Sequence, residues 1–385
     1  MKIRYIFILF IFLLLYPSCS NKDIIKFSDK KINKKLLKKY GKKYFQRKIT
    51  NIKELDLSNL DLLILPKELG LFKNLESLNL SNNKLNDLDI NIIKNLTNLK
   101  ELNISNNNFQ NIPEPIFYLT NLTKLDASNN NIIDIPSDIE KLSNLKELYL
   151  SRNKITFLSE KIGFINNLLI LDLSYNEIQD VGDFSLSNLQ FLNISHNNLK
   201  YLSSSLLSKN LINLNASNNK IRHIDDMIIN CKKLSVLKLQ DNQISYLPQN
   251  MENMNSLRYI NLSRNNFDYF PFELCNIFTL EILYLNGNKI SKLPDSIKKL
   301  VNLRKLYLDS NEFYNFPENI LEISDNLQEL SLKENKITEV PDSIVENGKF
   351  AFLYLTYNPL NKSSNKLVSN IKISEGKKTV FKISN

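Results

Sequence analysis

Tryptophan is absent from these 385 residues, histidine occurs twice, cysteine three times and glycine seven times. Each shortage removes a class of function. Three cysteines are too few for a disulfide framework. His196 and His223 fall at different places in the pattern described below, so neither has an obvious base, nucleophile or metal-ligand partner, and solvated histidine is expected at both. No glycine-rich phosphate loop is present, and the isolated "NGN" and "NGK" read as turns. No catalysis, no cofactor and no metal are therefore expected.

The formal net charge of +10 looks like a nucleic-acid signal until it is placed along the chain. Residues 19–50 contribute +10, residues 361–385 contribute +5, and Lys2 with Arg4 add +2, which leaves −7 for residues 51–360. The body is mildly acidic. A basic nucleic-acid face on it is disfavoured.

Residues 1–18 carry two cations followed by the uncharged run Tyr5 to Tyr16, "YIFILFIFLLLY". The run is too short to span a bilayer and suits a signal-peptide apolar region. In "LYPSCSNKD" Ser18 precedes Cys19 much as in a lipidation site, although Tyr16 and Pro17 depart from the usual box. Lipidation at Cys19 is the expectation, because a mature Cys19 has no other evident role. Ordinary cleavage after Ser20 is the alternative, and it would make the protein a secreted one.

One unit dominates the rest. "LKELNISNNNFQNIPEPIFYLTN" (99–121) aligns with "LTKLDASNNNIIDIPSDIEKLSN" (122–144) and "LEILYLNGNKISKLPDSIKKLVN" (280–302). The period is 23 residues, and fourteen units begin at Ile52, Leu75, Leu99, Leu122, Leu145, Leu168, Leu189, Leu211, Leu234, Leu257, Leu280, Leu303, Leu327 and Phe350. Within "ELNIS" apolar and polar residues alternate, as a strand buried on one face requires. Strands this short must pair with their neighbours, so the leucines stack into one continuous core. The Asn at the ninth position (Asn83, Asn107, Asn130, Asn153, Asn176 and onwards) stands where the chain turns off the strand. Its amide is suited to satisfy backbone groups that the turn would bury. Proline at the fifteenth position (Pro66, Pro113, Pro136, Pro248, Pro271, Pro294, Pro317, Pro341) predicts an extended or 3₁₀ segment. Ser159 replaces it in the fifth unit, and the sixth and seventh units shorten to 21 and 22 residues, so curvature is expected to change there.

The pattern LxxLxLxxNxL followed by LPxxIxxLxN, over residues 52–360, resembles the leucine-rich repeat family and, with the N-terminal features, exported bacterial lipoproteins of that family. The resemblance implies an α/β solenoid, a horseshoe with a parallel β-sheet on its concave face, a 3₁₀ or irregular convex side and short caps at both ends. Fourteen strands spaced at about 4.8 Å imply an inner face of about 60 Å. Four regions follow: a lipoprotein-like signal at 1–18, a basic linker and helical cap at 19–50, the repeats at 51–360 and a β-type cap at 361–385. "SDKKINKKLLKKYG" (28–41) predicts a helix with Ser28 as N-cap and Gly41 past its end. Its apolar face, Ile32, Leu36, Leu37 and Tyr40, suits either a cap on the first repeat or a basic helix on anionic lipid. At the other end, "LVSNIKIS" and "TVFKIS" alternate like strands. Cys231 and Cys275, two units apart, are expected as buried free thiols beyond disulfide reach.

In this family a protein partner usually lies against the concave sheet, which directs attention to the outward third, fifth and eighth positions. Units five to twelve turn apolar and aromatic there: Tyr149, Arg152, Ile170, Tyr175, Phe191, Val236, Tyr259, Arg264, Ile282, Tyr284 and Tyr307. His196 and Tyr357 also stand at the eighth position. Such a surface is rich in the residue types that protein interfaces favour. Only 25 residues follow Leu360, too few for a catalytic domain. The expected function is a non-enzymatic, monomeric module that binds a protein through its concave face. It is expected to be exported and lipid-anchored at the cell membrane or outer membrane, with surface exposure possible. The alternative is an envelope scaffold that organises the cell's own surface proteins.

Overall fold

The structure is a computed structural model that describes residues 27–41, 49–370 and 380–382. The signal-like segment and Cys19 lie outside the described residues. Among the described residues, no helix is long and apolar enough to cross a membrane. The chain forms two compact units, residues 1–109 with 113–125, and residues 110–112 with 126–385.

In the first unit, helix α1 (Lys30–Tyr40) precedes the repeats. Its N-cap is Asp29, one residue later than predicted, and the carboxylate accepts the Lys31 N–H at 2.6 Å. The predicted cap, Ser28, instead donates its own N–H to Glu68 at 2.8 Å. Asp29 also places a negative charge at the positive end of the helix, an advantage that Ser28 lacks. Gly41 ends the helix at φ 71°, its N–H returning to the Leu37 carbonyl. Ile32 and Leu36 are fully buried, and Phe27 stacks on Phe72 of the first repeat with centroids 5.8 Å apart. Lys35 reaches Asp56 at 3.1 Å, and Lys39 bonds the same carboxylate. Of the face that would enter a lipid headgroup layer, Ile32 and Leu36 are therefore covered, while Leu37 is half exposed. This helix caps the first repeat and does not present that face to a membrane.

The strands of the first unit, Glu54–Asp56, Ser77–Asn79 and Glu101–Asn103, pair in parallel with equivalent residues opposite each other. The second unit continues the scheme from Glu147–Tyr149 through Phe352–Tyr354, each strand one repeat from its neighbour. Leucines at the first, fourth and sixth positions, such as Leu145, Leu148 and Leu150, are fully buried. Asn176 shows the predicted role of the ninth position. Its Nδ2 donates to the carbonyls of Leu150 (2.9 Å) and Leu173 (3.0 Å), and its Oδ1 accepts from Ile155 (3.0 Å). One buried amide thus joins two repeats.

On the opposite side the chain makes 3₁₀ turns, many of them opened by the predicted prolines, such as Pro136 and Pro294. Units five to eight lack that proline and carry Ser159, Gly182, Ser203 and Asp225 instead. Serine and aspartate cap the turn with their side chains, as Ser159 does for Lys161 and Asp225 for Met227. These units also form ladders where irregular chain was expected: Phe157–Leu158 with Asp180–Val181, and Tyr201–Leu202 with His223–Ile224. Proline has no N–H to donate. Here the N–H groups of Gly182 and Asp225 bond the carbonyls of Leu158 and Leu202 at 2.9 and 3.0 Å.

The start of the C-terminal segment departs from the expected β-type cap. Lys362–Asn370, including "LVSN", is a helix, α4 in a chain whose short helical turns Ile90–Ile93 and Ser343–Asn347 are α2 and α3. Ser364 and Val368, one turn apart, are both buried, and the Ser364 hydroxyl accepts the Val340 N–H at 2.9 Å. That helical spacing overrides the alternation around Leu367 and Val368. Val380–Lys382, from "TVFKIS", is strand as expected, parallel to Phe352–Tyr354, and residues 371–379, with "IKIS", lie outside the described residues.

Candidate binding surface

The outward positions of the sheet are not equally free to bind. At the fifth position Asp or Asn turns its side chain back onto the chain. Asp172 accepts the Ser174 N–H at 2.9 Å, Asn193 that of Ser195 at 3.3 Å and Asn261 that of Ser263 at 3.0 Å. This local turn stabilises the strand exit. Tyr149, Tyr284 and Tyr307 take the fifth position without a carboxylate or amide oxygen to offer, so their repeats give up that bond.

The eighth position has its own constraint: every repeat places it in the left-handed region, from φ 51° at Asn129 to 65° at Gly287. Asn, Asp and Gly tolerate this conformation, and larger side chains do so at a cost. Arg152, Tyr175 and His196 nevertheless occupy it in three consecutive repeats, at φ 56°, 56° and 55°. They form a stack. The Arg152 guanidinium lies 4.4 Å from the centre of the Tyr175 ring, and Tyr175 and His196 are 4.0 Å apart and nearly parallel. Arg264, at the same position further on, is held by Asp241 in a two-point pair, one arm 2.7 Å long. Hydrogen bonding to Asp241 pushes the Arg264 pKa up further. Gly287 keeps this pair in place, since a Cβ there would sit 2.9 Å from Arg264 Cγ.

All eleven residues expected to form the patch lie in the second unit, but they form two groups. Ile170 and Phe191 are opposite one another in register. Asn213 then interrupts the apolar row. Beyond it Val236, Tyr259 and Ile282 pair in turn. Tyr259 leans on Tyr284 (5.6 Å), and Tyr284 stacks on Tyr307 (4.4 Å, 4°). Burial raises the Tyr259 pKa, helped by Tyr284; burial and the Glu329 carboxylate raise that of Tyr307. Both hydroxyls stay protonated and can donate. Tyr149 donates to Glu147 at 3.0 Å. Tyr175 and Phe191, 43% and 40% exposed, are the most open large apolar members.

Two features escaped the sequence reading. His196 is a member of the ring stack and not merely solvated. A second aromatic row, Tyr201, His223, Tyr246 and Tyr269, runs along the thirteenth position of units seven to ten, where a census of that position would have found it. Tyr201 donates to Asp225 at 2.7 Å, and burial with that carboxylate pushes its pKa up to about 12. His223 contacts the Tyr246 hydroxyl. Cys231 and Cys275 are buried free thiols, and burial pushes the Cys231 pKa up to about 11. Among the described residues, no cluster of three His, Cys, Asp or Glu could hold a metal.

The repeat geometry and the asparagine ladder define a class, and the chain belongs to the leucine-rich repeat proteins. The family described as Leucine-rich repeat region matches residues 210–335, Leucine rich repeat matches 73–132 and 143–199, and Leucine Rich repeats (2 copies) matches 120–161. No curated protein matches the sequence. Among solved structures, a leucine-rich repeat protein of Leptospira interrogans is 27% identical, with a TM-score of 0.63 over 91% of this chain and 98% of that one. An internalin of Listeria monocytogenes is 25% identical, with a TM-score of 0.66 over 76% and 83%. The TLR13–ssRNA13 complex is 25% identical, with a TM-score of 0.71 over 86% of this chain and 54% of that one.

Proposed function

We propose that this protein is a non-enzymatic binding module whose exposed sheet face in the second unit engages a protein partner. Leucine-rich repeat proteins are generally binding scaffolds, and the fold is a typical protein-interaction module. One observation carries the finer reading. In the second unit, outward positions that elsewhere serve the fold through Asn or Asp are given over to Tyr, Arg and His, which serve it less well. Aromatic and arginine side chains are those that interfaces concentrate. One similar structure is a complex with single-stranded RNA, so the fold itself does not exclude nucleic acid. Here the charge of −7 on residues 51–360 argues against a polyanion.

The test is the triple variant Phe191→Ser, Tyr259→Ser, Tyr284→Ser. None of these side chains enters the leucine core, so the variant should stay folded, losing only the ring contacts of Tyr259 and Tyr284, while it loses capture of its partner from an envelope or host extract. Equal capture, or collapse of the fold, refutes the assignment. Export and lipidation at Cys19 belong to the same proposal, supported by the N-terminal pattern. An intact mass of the mature protein from its own host decides between lipidated Cys19 and an unmodified start at Asn21.

A further inference from the structure

Along the eighth position of the second unit, charges are treated unequally. Asp241 and Arg264 hold each other, and the Ser310 hydroxyl donates to Glu334 at 2.6 Å. Arg152 has no carboxylate partner among the described residues. Its contact is the Tyr175 ring, which stacks in turn on His196. Asn129 and Asn218, in the repeats on either side of the three, show what the backbone prefers at this place. The structure therefore bears strain at three neighbouring residues to present one unpaired guanidinium on an aromatic support. Ile170 and Phe191, on the same repeats as Tyr175 and His196, add an apolar pair, Ile170 half-buried and Phe191 exposed.

We propose that the Arg152–Tyr175–His196 stack anchors an acidic residue of an extended peptide segment of the partner. The guanidinium takes the carboxylate in a two-point, charge-assisted pair, and its plane is held for this by the Tyr175 ring. Ile170 and Phe191 receive an apolar side chain of the same segment. The inference rests on the binding reading above and names the chemistry of the partner. A phosphate backbone suits the place less well. Glu147 and Asp172, on the strands of the same two repeats, are fixed negative charges, bonded to Tyr149 and Ser174. They oppose any anion, but a row of phosphates, with a charge at every step, more than a single carboxylate held by the guanidinium.

Random twelve-residue peptides displayed on phage, selected on the immobilised protein, test this. The selection is run in parallel on Arg152→Gln and on the triple serine variant. Peptides enriched on wild type should be rich in Asp and Glu. Their binding to Arg152→Gln should be about tenfold weaker, the order expected for losing a charged hydrogen-bonded pair, and partly restored in Arg152→Lys. All variants should remain folded, with thermal unfolding shifted no more than the lost ring and cation contacts account for. Enriched peptides with no acidic excess overturn the anchor, and they leave the wider reading standing if the triple serine variant loses them. Equal binding of acidic peptides to Arg152→Gln overturns it too. So does binding of a fluorescent twelve-residue oligouridylate that Arg152→Gln abolishes, which would make the partner a nucleic acid.

Discussion

Replacing Tyr175 and His196 together with asparagine separates a stack kept for binding from one kept for folding. Both residues sit near φ +55°, and Asn129 and Asn218 hold the same conformation in flanking repeats at φ 51° and 54°. A large residue in the left-handed region costs about 1–2 kcal/mol, so two replacements recover at most about 2–4 kcal/mol. Against this, the variant loses the parallel ring pair, about 0.5–1.5 kcal/mol, and the Arg152 contact, about 0.5–1 kcal/mol. The balance runs from near zero to about 3 kcal/mol in favour of the variant, by the same estimates. Urea unfolding followed by circular dichroism gives the global figure. Amide exchange of residues 168–218 reports the affected repeats alone, which matters in a chain whose repeats contact mainly their neighbours. Partner binding should weaken in the same protein. If the variant is less stable than wild type by more than about 1 kcal/mol, the stack is a device that fastens neighbouring strands, and the argument from strain to binding fails.

Two further outcomes follow from the fold. Asn242→Ala removes donations to the Ala216 and Leu239 carbonyls and the acceptor for Ile221 N–H, all at 3.0 Å. The two carbonyls keep the amides of Asn219 (3.2 Å) and Asn265 (2.9 Å), so the buried Ile221 N–H is the group left unpaired. This should cost about 1–3 kcal/mol, read as lost exchange protection in repeats eight and nine, and a cost below about 0.5 kcal/mol would deny the ladder its role. Asp56 ties helix α1 to the first repeat. Burial alone would raise its pKa, but Lys39, Ser58 and Lys35 together hold its carboxyl far below the usual range. A lowered folded pKa means that this contribution is complete above about pH 4, the unfolded value, and fades as the pH falls further toward the folded one. Exchange protection of residues 30–40 should therefore drop between about pH 4 and pH 2, and Asp56→Asn should show the loss already at pH 7. An unchanged helix in Asp56→Asn would mean that Phe27, Ile32 and Leu36 hold it without the ion pairs.

The repeat was legible because its causes are local and recur. A leucine at the first, fourth and sixth positions, an asparagine at the ninth and a proline at the fifteenth each act within one unit and its neighbour, so fourteen copies specify strand, turn and core without further information. Which side chains face outward from the sheet followed from the same alternation. What escaped the sequence depends on chain geometry between units. That the eighth position is left-handed in every repeat is invisible in a list of residues, and only there do Arg152, Tyr175 and His196 become costly and stacked. The sequence ranked Arg152 and Arg264 alike, and only the tertiary structure set Asp241 against one of them. The missing prolines of units five to eight were readable, but their freed N–H groups became ladders only when stacking brought Leu158 and Leu202 within reach. Helix α1 was visible as an amphipathic segment. Whether its apolar face met lipid or protein was decided by what stood beside it, namely Phe72 and Asp56.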